Sequence, residues 1–255
     1  MIVLIYLFNI KRVRTIFGYN KFFFHLLSRL HKNGKLGLNL RKIKNMETQL
    51  NEQVINQTII NQAYTYDAYM NLLNTLFEQG KTTGEEQSED LLNYAKLNLQ
   101  RMNRLNKTLQ LSDNLIDTIH QFDHSKKMTW LLITEGWCGD AAQNIPLIAK
   151  IAEESNQVDL KLVLRDENLN LIDAYLTNGG RAIPKMIVLD SENLEVIGTW
   201  GPRPKEIQDM VPEFKKLANG DHDEFSKHIQ LWYAKDKTQA QQKEFVDLLK
   251  EWNSI

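Results

Sequence analysis

Met-Thr-Trp-Leu-Leu-Ile-Thr-Glu-Gly-Trp-Cys-Gly-Asp-Ala-Ala, residues Met128–Ala142, changes character halfway. Its first half is a short apolar run rich in β-formers, which predicts a buried strand over Met128–Thr134. Glu135-Gly136 ends that run, and a helical pattern starts at Cys138. The one cysteine of the 255-residue chain therefore stands where a strand hands over to a helix N-terminus. Unpaired backbone N–H groups and the helix dipole favour an anion at such a place, so they act to stabilise a thiolate.

Downstream, strands and helices alternate. The pattern predicts a helix over Cys138–Ser155, kinked at Pro146, and a strand over Val158–Arg165. A helix over Asn168–Leu176 stops at Asn178-Gly179-Gly180. Strands at Lys185–Leu189 and Glu195–Trp200 are joined through the turn-forming Asp190-Ser191-Glu192-Asn193. Pro204 starts a helix to Ala218, and helices over Asp223–Ala234 and Asp236–Trp252 follow, the last with Asp236 and Gln239 at capping-box spacing.

Upstream the pattern is helical. One helix is expected over Thr48–Gln79, with Gly80 as its stop, and Thr83 and Glu86 have capping-box spacing. Ser88 is the expected N-cap of a helix to Gln110. Its stripe of Leu91, Ala95, Leu99, Met102, Leu105 and Leu109 faces inward, while Lys96, Arg101, Arg104 and Lys107 form a solvated basic face. Ser112 caps a further short helix to Phe122.

Residues 1–45 hold ten of the 31 basic residues and none of the 32 acidic ones. The remainder thus carries 21 basic against 32 acidic residues, a balance of −11, which argues against nucleic acid as a partner. Met1–Ile10 is apolar but too short to span a bilayer, and Lys11–Lys44 is basic with Phe22-Phe23-Phe24 inside it. The abrupt change at Met46 predicts a functional start there; a membrane role is expected only if residues 1–45 belong to the protein. The expected division is a leader (1–45), a helical extension (46–125), an α/β domain (126–220) and C-terminal helices (221–255). A single cysteine suits a reducing compartment, so the cytoplasm is the expected location. The histidines are scattered apart from His120 and His124, so neither a metal nor a cofactor is expected.

The order of strand, Trp137-Cys138-Gly139, kinked helix, strand, helix, Arg181-Ala182-Ile183-Pro184, hairpin and helix resembles the thioredoxin superfamily over Lys126–Ala218. Trp200-Gly-Pro-Arg-Pro204, with the helical front end, is similar to a bacterial single-cysteine subgroup. The resemblance implies an α/β thioredoxin-like fold: a central mixed sheet flanked by helices, here with helical N- and C-terminal extensions. It implies a nucleophile at Cys138 and a cis-proline at Pro184. It further implies a substrate groove formed by Trp137, Gly139, Asp140, Arg181, Ile183, Pro184 and Gly201. Two departures stand out. Ala141 occupies the place of the resolving thiol, and Leu132 and Leu162 occupy the places of the family's buried acid and its lysine partner.

A thiolate can attack a disulfide, but a second thiol must release the mixed disulfide. Cys138 would need an external low-molecular-weight thiol or a protein thiol for that step. Asp140 and Glu135 disfavour the thiolate by like charge, and Arg181 is the expected counter-charge. Two functions follow as expectations. One is monothiol exchange or redox sensing through Cys138. The other is a redox-inactive module that holds a peptide or protein partner in the same groove.

Overall fold

The computed structural model describes residues 54–122 and 126–254. The expectations for residues 1–45, for Thr48–Gln53 and for His124 lie outside the described residues. The sheet is built on β1 (Met128–Thr134), which is buried at every position. A strand buried on both faces needs partners at both edges and cover above and below. β1 pairs in parallel with β2 (Val158–Leu164) and antiparallel with β3 (Lys185–Asp190), and β3 pairs antiparallel with β4 (Val196–Trp200). The order is β2-β1-β3-β4, a mixed sheet such as the thioredoxin resemblance implies. Leu132 is in register with Leu162 on one side and Met186 on the other, and all three are fully buried. Where the superfamily keeps an acid and a lysine, this sheet has an apolar plug.

The β1–β2 crossover is the helix α5 (Gly139–Glu154), with Pro146 inside it and Cys138 as its N-cap. The β3–β4 hairpin turns because Asp190 Oδ1 accepts the amides of Glu192 (2.8 Å) and Asn193 (3.1 Å). α7 (Lys205–Ala218) and α8 (His222–Asp236) follow and share a small core of Ile207, Val211, Phe214, Ile229 and Tyr233. α9 (Gln239–Asn253) packs on the sheet through aromatics. Trp130 lies 5.9 Å from Phe245 and 5.8 Å from Trp252, and Trp200 lies 5.4 Å from Phe245, in tilted or edge-on geometry. Gly198 leaves the room the Trp252 indole fills: a Cβ there would collide with it. Asp236 accepts the Ala240 amide at 3.0 Å, so the acid does cap α9, although Thr238 holds the N-cap position itself.

The front end differs from the sequence expectation. The single helix read over Thr48–Gln79 is two helices among the described residues, α1 (Gln57–Gln62) and α2 (Tyr66–Glu78). Tyr64 causes the break. Its amide and carbonyl exchange 2.8 Å hydrogen bonds with Leu162 at the free edge of β2, which needs extended backbone. Thr65 then caps α2 by accepting the Ala68 amide. No capping box forms at Thr83 and Glu86, because no helix starts there; the Thr83 hydroxyl instead accepts the Gly136 amide at 2.8 Å. α3 (Glu89–Thr108) and α4 (Asp113–His120) stand where expected, but the Ser88 and Ser112 side chains make no capping hydrogen bond. Arg101 departs from the solvated face: it is half-buried and donates to Asn98 Oδ1 at 2.8 Å.

These elements belong to one compact unit, residues 57–169 with 183–255. Residues 170–182 belong to a second unit. Within that segment the helix α6 (Leu169–Ala174) ends, Thr177 and Gly180 exchange backbone hydrogen bonds, and Asn178 and Gly179 take positive φ. Among the described residues no helix is long and apolar enough to cross a membrane.

Candidate functional site

Cys138 leaves the strand with extended backbone (φ −77°, ψ 113°) and opens α5. Its amide donates to the Glu135 carbonyl at 3.1 Å, closing a tight turn that turns the sulfur inward. The thiol donates to the Ile183 carbonyl at 3.2 Å and accepts the Ala141 amide at 3.4 Å. Only 7% of the residue is exposed. Burial pushes the thiol up to about 12, and the charge of Asp140 pushes the same way. The Ala141 and Asp140 amides and the Arg203 guanidinium pull in the other direction and lose. The helix N-terminus read from the sequence is real, but desolvation outweighs it.

The added helices cover the turn and helix start on either side of Cys138. From α3, the fully buried Asn98 donates to the Gly136 carbonyl at 3.1 Å. From α8, Gln230 accepts from Gln143 at 2.7 Å. Both helices crowd Gly139, where a Cβ would lie 3.0 Å from Gln230 Nε2 and 3.9 Å from Arg101 and Asn98. The start of α5 is therefore roofed by segments some forty residues before it and ninety after it.

Asp140 is buried, and Arg203 grips it with a fork: Nε to Oδ1 at 2.9 Å and Nη2 to Oδ2 at 2.6 Å. The Tyr233 hydroxyl donates to Oδ1 at 3.1 Å and accepts from Asn144 at 2.9 Å. Burial raises the Asp140 carboxyl, against the pull of Arg203 and Tyr233. Glu135 is a second buried carboxyl. Its Oε1 accepts the Asp166 amide at 2.9 Å, while Oε2 has no hydrogen-bond partner. Burial raises it first; the Thr83 hydroxyl and the Asp166 amide offset part of that.

The remaining groove residues are placed as follows. The Ile183–Pro184 bond is cis and both residues are buried. Gly201 has φ 109°, and a Cβ there would collide with the Pro184 carbonyl oxygen, so glycine is required. Trp137 is half-buried with the Arg165 guanidinium 4.7 Å over its ring. Arg181, expected as the counter-charge, forks onto Asp173 within its own segment at 2.6 and 2.8 Å. The cation acting on Cys138 is Arg203 of Trp200-Gly-Pro-Arg-Pro204, which is not among the expected groove residues. Its signal was an arginine held between two prolines beside a groove. Tyr233 and Asn98 had no such local signal. Among the described residues no group of acidic, histidine or cysteine side chains is disposed to hold a metal ion.

A family model described as Thioredoxin matches residues 84–217. Among solved structures, a protein of unknown function from Pseudomonas aeruginosa is similar at 16% identity. The match covers 73% of this chain and 98% of that one, with a TM-score of 0.45. An HIV epitope scaffold is similar at 17% identity, covering 74% and 98%, with a TM-score of 0.43. No curated protein matches.

Proposed function

The chain belongs to the thioredoxin family, and we propose that within it the protein is a redox-silent binding module at neutral pH, holding a peptide or protein partner. One observation carries this reading: the Cys138 thiol is buried, donates its hydrogen to the Ile183 carbonyl, and is pushed up to about 12. A neutral thiol does not attack disulfides; the thiolate does. Ala141 supplies no second thiol, and the chain contains no other cysteine. The partner is not a nucleic acid, given the acid excess of residues 46–255, and a reducing compartment such as the cytoplasm suits the thiol.

The test is the pH dependence of Cys138 alkylation by iodoacetamide. The expected midpoint lies above about pH 9, whereas a thiolate forming below about pH 7.5 overturns the reading. Partner capture by Cys138→Ser at the wild-type level is the companion expectation.

A second reading has its own support in the Ala141 amide, which points at Sγ and is placed to stabilise a thiolate. In that reading Cys138 thiolate attacks a disulfide R–S–S–R′, forms a Cys138–S–S–R bond and expels R′–S⁻. An external thiol then attacks the mixed disulfide and releases Cys138. Accumulation of that mixed disulfide at pH 7.5 selects this reading over the first.

A further inference from the structure

We propose that Asp140 and Arg203 form a clamp that withholds reactivity from Cys138, by committing the guanidinium to a carboxylate instead of to the sulfur. The inference rests on the reading that Cys138 is a neutral thiol at rest. Asp140 lies two residues beyond Cys138 in the first turn of α5, and Arg203 reaches it from the segment between β4 and α7. Both side chains are largely shielded from water, 18% and 11% exposed for Arg203 and Asp140. The fork uses both carboxylate oxygens, and Tyr233 adds a third donor. The guanidinium is committed to the carboxylate, and of the two charges Asp140 weighs more on the thiol than Arg203 does.

The groups that act on Cys138 come from three elements. Asp140 lies on its own helix and opposes the thiolate, and Arg203 favours it. Tyr69, from α2, is itself raised by burial and stays a neutral phenol. Glu135, buried three residues before Cys138, is the same in every variant, so removing the Asp140 charge shifts the balance at the sulfur toward the Arg203 cation. An acid in the first turn also stabilises a helix through the dipole, and that structural role alone predicts no change in the thiol.

Asp140→Asn keeps the size, the acceptor oxygen for Tyr233 and the guanidinium in place. Measured by thiolate absorbance and by iodoacetamide rate, its midpoint should fall by about one unit or more, the shift one close opposite charge gives. Per unit, the thiolate fraction rises about tenfold while intrinsic nucleophilicity falls about threefold, so alkylation at pH 8 accelerates about three- to fourfold. Asp140→Asn combined with Arg203→Gln should lose that gain. The clamp is overturned if Asp140→Asn leaves the midpoint where it was or raises it, or if the double variant keeps the full shift. Asp140→Ser, smaller and suited to a helix start, replaces Asn if circular dichroism shows that the first variant does not fold. A wild-type midpoint below about pH 7.5 refutes the silent-thiol reading instead, and is separate from the difference between variants.

Discussion

Glu135→Gln should stabilise this protein at neutral pH and leave it unchanged in acid. Glu135 is fully buried three residues before Cys138, with one carboxylate oxygen on the Asp166 amide and the other without a partner. Burial raises its folded-state carboxyl above the usual carboxylate range. The sign follows from proton binding. Between the unfolded and the folded pKa the native state holds more protons than the unfolded chain, so stability falls as pH rises through that window. Below the unfolded pKa, both states are protonated and the penalty is absent. Glutamine keeps the acceptor for Asp166 and removes the charge. What costs stability at pH 7.5 is the buried charge, and glutamine lacks it, so a gain of about 1–2 kcal/mol at pH 7.5 is expected. At roughly 2–4 °C per kcal/mol for a chain of this size, the melting temperature should rise by about 2–8 °C. Thermal denaturation of both proteins at pH 7.5 and pH 3.5 is the assay. A lower melting temperature at pH 7.5, or an equal shift at both pH values, refutes the reasoning.

Gly198→Ala should force the Trp252 indole off β4 and cost about 1–3 kcal/mol of overpacking, read as a lower urea midpoint; pairing it with Trp252→Leu should recover most of the loss, and no loss in the single variant would refute the close approach. Asn98→Ala removes the donor to the buried Gly136 carbonyl and should cost about 1–3 kcal/mol. It should also speed amide exchange at Gly136–Cys138, and unchanged exchange there would mean that α3 does not hold the turn.

The strands, the α5 helix and the hairpin were legible because their signals are local, whereas the mixed sheet they form was implied by the resemblance to the thioredoxin superfamily. A fully apolar β1, a Pro-containing helix and an Asp-Ser-Glu-Asn turn each declare themselves within a few residues. The break at Tyr64 is only faintly marked in the sequence: Thr65 is a good N-cap type, but the pairing that holds Tyr64 extended is with a strand edge a hundred residues away. Arg203 was visible as a residue and invisible as a partner of Asp140, since the two are 63 positions apart.

By itself the sequence determined that a lone cysteine caps a helix behind a buried strand; the family resemblance adds that Ala141 stands in the place of a second thiol and Leu132 and Leu162 in the places of a proton relay. Those are matters of residue identity and short-range periodicity. Only the tertiary structure decided the state of that cysteine. The helix N-terminus that favours a thiolate is made by neighbours in the chain. The burial that opposes it is made by segments distant in the chain: Ile183 receives the thiol proton, and α3 and α8 cover the adjoining turn and helix start. Desolvation depends on everything packed around a group, so it cannot be read from the residues beside Cys138, and here it outweighs the dipole.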